Sequence, residues 1–456
     1  MASLTNQELV RKFIQDERHI QKLLYSYELD SFFFYQEDKG YFKLQDRQLK
    51  EFENYVENFL YEESPKNITT ARIEDIVKYL KIKTSRKVGS EEAEYLSFAE
   101  GQVLRLSDFT LHAYDLNKIA LHHLPFNPYK VITMQPTPMW SKFLDEVVVK
   151  DNLTPDRELQ SLLQEMFGYS LLQTTKAEKT FFLVGEGANG KSVMLNILRK
   201  VVGESNCSSK SIEALTTDRF ATSGLIGKTV NICSEEESDY IKSDKFKAIV
   251  SGEPIDIERK FGEAVSGRFS VKFIFATNEM PTFSGFNNGL LRRMVIVPFK
   301  KTIEESLRDV DLSKKLEAEL EGIVSWAIEG ARRLVERKYR FILPEACKLK
   351  EEEFKENLSS SISFIKENYI IDETCFISNL DLYGSYKIWA KDRGIKAVKL
   401  QRFSKDITKL YGDSVVFWDK TNDKTIRGRP FKSLFTSLPL SSASDWPTEK
   451  YEEPKF

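Results

Sequence analysis

The sequence predicts an α/β fold with a mostly parallel sheet at its centre, preceded by a mixed, largely helical region and followed by a small domain of helices and a hairpin. Three observations predict it. Over residues 150–300 the short apolar runs TFFLV, KTVNIC, FSVKFIFAT and RMVIVPF alternate with helical patterns, the rhythm of strand–helix–strand crossovers. The first of these runs passes directly into VGEGANGKSV, a glycine-rich turn that opens a helix. Finally, 456 residues at 41% hydrophobic and 30% charged are ample for two to four globular domains.

The elements are taken in chain order. In residues 1–65, LVRKFIQDERHIQKLLYSY carries apolar residues at helical spacing, SFFFYQEDKGYFKL reads as a hairpin turning at Asp38-Lys39-Gly40, and LKEFENYVENFLYEE is helical. Segment 69–96 is polar and helical. YLSFAEGQVLRLSDFTLHAYDLNKIALHHLPFNPYK breaks into short β-like pieces with a punctuated end at Pro125 and Pro128. Residues 156–172 form a helix, 180–184 a strand, and VMLNILRKVVG a helix closed by Gly203. Residues 303–340 are helical. Beyond 345 come short helices and the hairpin VVFWDKTNDKTIRGRPFKSLF, then a tail rich in Ser, Pro and acids that is expected to be disordered. The expected division is an N-terminal accessory domain (1–150), the α/β core (151–340), a C-terminal domain (345–437) and the tail (438–456).

Composition excludes several classes. Cys207, Cys233, Cys347 and Cys375 lie far apart with no Cys-x-x-Cys pair, which argues against a zinc ribbon or disulfide framework and suits a reducing cytosol. His19, His112, His122 and His123 suggest no metal site. No leader is evident in MASLTNQELVRKF, and the longest apolar runs are too short to span a bilayer, so an intracellular location without membrane association is expected.

Gly185-Glu186-Gly187-Ala188-Asn189-Gly190-Lys191-Ser192 has the form G-x-x-x-x-G-K-S, between a strand and a helix. Such a loop lets backbone N–H groups curl around phosphates; Lys191 would reach the β/γ oxygens of ATP and Ser192 would ligate Mg²⁺. Acids are then needed at a neighbouring strand end to hold the metal's water shell and orient the attacking water. VNICSEEES supplies Glu235, Glu236 and Glu237; Glu235 is the expected Mg²⁺ side, and Glu235 and Glu236 are the favoured catalytic pair, with a solvated acidic turn as the alternative. FIFATNEMP places Asn278 where its amide could hydrogen-bond the γ-phosphate or the lytic water, or simply cap a turn before Pro281. NNGLLRRMVIVPF sets Arg292 and Arg293 before a strand, suited to offsetting transition-state charge, often in trans, or to a structural ion pair. Lys260 and Phe261 sit near the bend of GEPIDIERKFGEAVSGRFSVKF, a cation beside a ring that could grip a strand or merely decorate a surface hairpin.

The net charge of −2 conceals a basic region: between Lys387 and Lys432 there are thirteen Lys/Arg against five Asp/Glu, with Trp389, Phe403, Tyr411, Phe417, Trp418 and Phe431 interleaved. With Arg427 and Arg429 in the hairpin, the pattern suits a winged-helix duplex-binding module or a basic packing face.

A phosphate loop, an acidic strand end, a Lys-aromatic hairpin, a Thr-Asn strand end and Arg-Arg before I-V-P-F, in that order, resemble the superfamily 3 helicases. Within them the chain resembles the helicase part of the phage/plasmid primase–helicase family, related to poxvirus-type nucleoside triphosphatases. QEMFGYSLLQTTKAEKTFFLVGEGANGKS, LYGSYKIWAKDRGIK and RGRPFK are similar to that family's style. The resemblance implies an AAA+ P-loop ATPase core working as a homo-hexameric ring, with ATP and Mg²⁺ between subunits and Arg292 or Arg293 reaching the neighbour's nucleotide. It further implies that Lys260 and Phe261 track single-stranded DNA and that a C-terminal winged helix binds duplex. Residues 1–150 lack Asp-x-Asp or zinc-ligand primase features, so a separate primase is the expected partner. The expected function is an ATP-dependent replicative DNA helicase of a mobile element in a bacterial host's cytoplasm. The rival is a sequence-specific origin-binding initiator whose ATPase drives assembly or local melting. A third reading, a nucleotide-switched scaffold unrelated to DNA, is disfavoured by the basic-aromatic region.

Overall fold

A computed structural model describes residues 4–434, apart from 21, 28–30, 37–40, 45–49, 67, 87–94, 99–100, 114–121, 152, 237–239, 259–264, 285–287, 359, 373–374, 394–396 and 420–423. Two units divide between Lys350 and Glu351. In the first, Thr5 opens α1 (Asn6–Gln15) with a capping box: its Oγ1 accepts the Glu8 N–H while the Glu8 carboxylate accepts the Thr5 N–H. After α2 (Glu17–Ile20), β1 (Leu23–Ser26), β2 (Ser31–Gln36) and β3 (Tyr41–Leu44) pair antiparallel. The expected hairpin is β2–β3; its turn lies outside the described residues. Helices α3 (Lys50–Glu63) and α4 (Thr70–Lys83) come next, and β4 (Ser85–Arg86) adds in parallel to β1, giving the order β3-β2-β1-β4. Leu9, Phe13, Phe32, Phe52, Phe59, Ile76 and Leu80 form a core of their own beneath this sheet.

The β-like pieces are a meander of β5 (Tyr95–Phe98), β6 (Gln102–Arg105) and β7 (Thr110–Ala113). Helices α5 (Pro128–Ile132), α6 (Pro138–Val147) and α7 (Arg157–Leu171) lead into the α/β core. There β8 (Thr180–Val184), α8 (Lys191–Val202), β9 (Cys207–Ser208), α9 (Ile212–Thr217) and β10 (Val230–Cys233) precede β11 (Tyr240–Lys242) and α10 (Ser243–Ser251). Next come the antiparallel pair β12 (Ile255–Ile257) and β13 (Val265–Gly267), then β14 (Lys272–Thr277), β15 (Thr282–Ser284), α11 (Asn288–Leu291) and β16 (Met294–Pro298).

Five strands form one parallel sheet in the order β16-β8-β14-β10-β9. Every residue of β8, β14 and β16 is buried, because crossover helices cover both faces and leave no polar side to the strands. Helices α12 (Leu312–Glu317) and α13 (Leu320–Glu336) complete the first unit, and α14 (Glu345–Leu358) runs across the division. Helices α7 and α13 pack backbone to backbone: a Cβ on Gly168 would lie 2.2 Å from the Ala331 nitrogen, and one on Gly330 2.1 Å from the Gln164 oxygen. Buried Glu165 accepts ion pairs there from Arg333 and Arg337.

The second unit contains α15 (Ser360–Asn368), β17 (Tyr369–Ile371), β18 (Ile377–Ser378), α16 (Asn379–Asp392), α17 (Leu400–Tyr411), β19 (Val415–Asp419), β20 (Lys424–Arg429) and β21 (Phe431–Ser433). Strands β19 and β20 make the expected hairpin, extended by β18 in the order β18-β20-β19. Three of the aromatics read as interleaved with the basic residues, Trp389, Phe403 and Phe431, lie in this unit's core with Phe364 and Tyr386. They hold the unit together and present no face to a ligand. Among the described residues, no helix is long and apolar enough to cross a membrane.

Candidate functional site

A parallel sheet delivers all its strand ends to one edge, and the loops leaving that edge are natural neighbours. The Gly185–Ser192 loop leaves β8. Asn278 lies just past β14, which pairs with β8 in the register Thr277↔Val184. Glu235 and Glu236 lie just past β10, which pairs with β14 on its other side in the register Cys233↔Phe275. Three of the sequence-predicted groups thus meet at the carboxyl edge of three adjacent strands.

The loop is held by its surroundings as well as by its own sequence. The Gly185 N–H donates to the Thr277 carbonyl at 3.3 Å, and the Ile303 N–H to the Ala188 carbonyl at 2.7 Å. A Cβ on Gly185 would come within 2.2 Å of the Phe299 carbonyl oxygen, so only glycine fits there. Gly190, the N-cap of α8, has φ +85°, the left-handed conformation that glycine adopts without cost. Asn189 is buried and crosses the loop: its Nδ2 donates to the Glu186 carbonyl and its Oδ1 accepts the Lys191 N–H at 3.5 Å. Glu186, Gly187, Ala188 and Ser192 are open to solvent, and a Cβ on Gly187 would meet nothing within 4 Å. Lys191, at the start of α8, is buried and its Nζ donates to the Gly185 carbonyl. Burial pulls its ammonium below the ordinary lysine value. The loop therefore forms an exposed concavity of backbone at a helix N-terminus, with one cation folded beneath it, the arrangement that attracts an anion.

The acids divide by environment. Glu235 is exposed. Glu236 is only 4% exposed; its N–H donates to the Ala276 carbonyl at 2.8 Å and its Oε2 accepts the Ile212 N–H at 2.8 Å, at the first turn of α9. It therefore ties two strand ends to a helix. Beside it, burial and the Glu236 charge push the Cys233 thiol up to about 11, so it stays protonated. Glu237 lies outside the described residues. Asn278 is exposed.

Arg292 and Arg293 are at the other edge of the sheet. The Thr180 N–H, at the start of β8, donates to the Arg293 carbonyl at 2.8 Å. The length of β8, at about 3.3 Å per residue, sets the pair roughly 15 Å from the loop of their own chain. The two differ sharply. The Arg293 side chain is 8% exposed; its Nε donates to Ser251 Oγ at 2.5 Å, its Nη1 to the Gly289 carbonyl at 2.7 Å, and its Nη2 lies 3.2 Å from Glu178. The Arg292 side chain is 67% exposed, with Nη2 3.9 Å from the same Glu178. Sequence treats them as equivalents; the structure makes Arg293 a buried brace and leaves Arg292 facing solvent. Sequence reasoning misses Glu178, at φ +48°, because nothing in its local sequence marks it.

Lys260 and Phe261 lie outside the described residues, between β12 and β13. Glu258, just before that gap, pairs with Arg219 at 3.3 Å, beyond the end of α9. In the second unit Arg427 is exposed on β20, whereas Arg429 is 3% exposed. The Arg429 guanidinium donates to Thr408 Oγ1 at 2.7 Å and to the Gly412 carbonyl, fastening β20 to the end of α17. The expectation that Arg429 contacts DNA is therefore corrected: its donors are engaged inside the unit.

A mixed α/β unit with a parallel five-stranded sheet, and a glycine-rich loop at its carboxyl edge, has the architecture of α/β nucleotide-binding cores. A family model described as "Family of unknown function (DUF5906)" matches residues 183–293, the stretch from the loop to the arginine pair. The chain is similar to the putative helicase L207/L206 of Acanthamoeba polyphaga mimivirus, at 25% identity over 266 residues, 52% of this chain and 27% of that protein. It is also similar to Primase D5 of Fowlpox virus (strain NVSL), at 27% identity over 170 residues, 34% of this chain and 21% of that one. The matches thus span about a quarter of these relatives' lengths. Among solved structures, the apo NrS-1 C-terminal region (305–718) aligns over 90% of this chain and 96% of that chain, at 14% identity and a TM-score of 0.46.

Proposed function

We propose that the chain is an ATP-dependent DNA helicase of the superfamily 3, AAA+ type, acting in replication of a mobile genetic element in the cytoplasm of its host cell. The observation that carries this reading is the convergence of the 185–192 loop, Glu235 and Asn278 on one sheet edge, with the exposed Arg292 on the other. Similarity to proteins named helicase and primase supports it.

On this reading the N–H groups of Gly185–Gly190 receive the phosphates of ATP, and Lys191 exchanges the Gly185 carbonyl for a phosphate oxygen. The donor set fits: an open backbone cradle and a buried cation lie at the start of α8, beside an exposed serine. Ser192 and the Glu235 side would hold Mg²⁺, which supplies charge neutralisation across the phosphates. Exposed Glu235 is the group available to orient the lytic water, and Glu236 positions it by pinning the strand ends to α9. Asn278 reads the γ-phosphate. Because Arg292 is remote from its own loop, it serves a neighbouring copy in a ring, taken to be a homo-hexamer. Lys260 and Phe261 meet single-stranded DNA in the channel, and a separate primase supplies primers.

The second unit runs α15, β17, β18, α16, α17, β19, β20, β21, with β18 pairing β20, a connectivity that supports the winged-helix reading. Arg402 and Lys405 on the exposed face of α17, with Arg427 on the hairpin, are the groups offered to duplex DNA. That face also favours the second reading, an origin-binding initiator in which ATP drives assembly or local melting.

Steady-state ATP hydrolysis, with and without single-stranded DNA, tests the proposal. Wild-type turnover should rise with DNA, and Lys191→Ala should lose at least about a hundredfold in rate, as when one preorganised charge-stabilising donor is removed. Substantial turnover in Lys191→Ala rejects the site. Turnover indifferent to single strands, with selective binding of one duplex sequence, favours the initiator.

A further inference from the structure

The N-terminal part of the first unit carries a surface that the site above leaves unused. The last two turns of α4 and the strand after it read IVKYLKIKTSR, with four cations and no acid between Ile76 and Arg86. The Thr84 carbonyl accepts the Tyr25 N–H at 3.1 Å, and β4 pairs with β1 in the register Tyr25↔Ser85, so the end of α4 is locked against β1. This lock sets Lys81 Nζ 5.2 Å from the centre of the Tyr25 ring. At this end of α4, Lys78 and Lys83 are exposed, Tyr79 is 39% and Ile82 72% exposed, and Tyr27, two residues past Tyr25, is 54% exposed. Among the described residues neither Lys78 nor Lys83 has an ion-pair partner. The acids of α4, Glu74 and Asp75, lie toward its N-terminus and bound the patch.

Basic residues in a helix's last turn complement its dipole, which accounts for Lys81 and Lys83. It does not account for two tyrosines and an isoleucine left in water among them. Cations spaced between exposed rings suit a flexible polyanion whose bases are free to stack: the cations meet phosphates and the rings meet base faces. A duplex hides those faces, and an acidic peptide offers little to stack. We propose that the β1–β4 edge and the end of α4 form a single-stranded DNA contact, built from Lys78, Tyr79, Lys81, Lys83 and Tyr27. This gives the N-terminal region a role in holding a single strand, whether or not the 185–192 loop supports hydrolysis.

The test is fluorescence anisotropy of a labelled oligothymidylate with the full chain over a range of salt. Wild type is compared with Lys78→Glu/Lys83→Glu and with Tyr79→Ala, all surface changes whose melting temperatures should match wild type. The double variant should bind roughly tenfold or more weakly, with a log–log salt slope shallower by about 1.4, two phosphate contacts at about 0.7 each. Tyr79→Ala should lose about fivefold or more without changing the slope. Basal ATP hydrolysis should be unchanged in both, so a defect in the nucleotide site reads separately. Wild-type affinity and slope in both variants, or no binding by wild type, overturns the proposal.

Discussion

Arg292 and Arg293 are chemically identical and adjacent, yet burial gives them separate duties. Arg293 is bonded on three sides, and truncating it leaves Glu178 and a buried cavity without the guanidinium that fills it. Arg293→Ala should therefore cost about 1–3 kcal/mol, read as a lower melting temperature, because the Ser251 hydroxyl and the Gly289 carbonyl lose their buried donor. Arg292→Ala should leave the melting temperature nearly unchanged and abolish hydrolysis. Mixing it with Lys191→Ala should restore measurable turnover, because some interfaces then join an intact loop to an intact arginine. No recovery on mixing contradicts a site shared between copies. His122 makes a pH prediction. Burial, then the charges of Lys272 and His123, hold its imidazole down at about 3 against an ordinary 6.5. Above 6.5 the ring is neutral folded and unfolded, so its contribution is constant; as pH falls below 6.5 the unfolded chain takes up a proton that the folded chain refuses. The melting temperature should fall from about pH 7 to about pH 5, less steeply in His122→Gln. Equal slopes in calorimetric scans at several pH values rule out this assignment.

At the scale of elements, α9 is the piece that joins the candidate site to the β12–β13 pair. Glu236 accepts the Ile212 N–H at its first turn, and beyond its last turn Arg219 pairs with Glu258 at 3.3 Å. An exposed pair of this kind adds little stability, so its disruption should be silent in melting. It should not be silent in coupling: Arg219→Glu should reduce DNA stimulation of hydrolysis with basal turnover intact, and Arg219→Glu/Glu258→Arg should restore it. Stimulation unaffected by the single change means that α9 carries no signal. Most of the elements are legible in the sequence. Continuous apolar runs such as TFFLV and FSVKFIFAT mark buried parallel strands, and the strand–glycine turn–helix pattern locates the loop. Short pieces are less so: β9, β11, β15 and β18 have two or three residues each, too few for periodicity to register. The aromatics of residues 389–431 mislead for a related reason. Interleaving with Lys and Arg looks the same in sequence whether a ring faces a ligand or, like Phe403 and Phe431, the core. Roles that depend on burial, as for Glu236, Arg293 and Arg429, are tertiary facts with no local signature.

For the whole molecule, the proposed function requires a nucleotide cycle at the carboxyl edge of the sheet that drives work on DNA. One sheet edge bears the loop and the acids, and the opposite edge bears Arg292. The second unit exposes Arg402, Lys405 and Arg427, the groups proposed to meet duplex, and the end of α4 beside β1 exposes the cations and rings proposed to meet a single strand. On the proposed function, each of these surfaces would meet DNA. The most direct measurement is strand separation of a tailed duplex by the purified 456-residue chain with ATP and Mg²⁺, beside Lys191→Ala under the same conditions. A helicase of this kind should release the displaced strand in an ATP-dependent manner, and the variant should release none. Absence of strand release by wild type that hydrolyses ATP would contradict the proposed function.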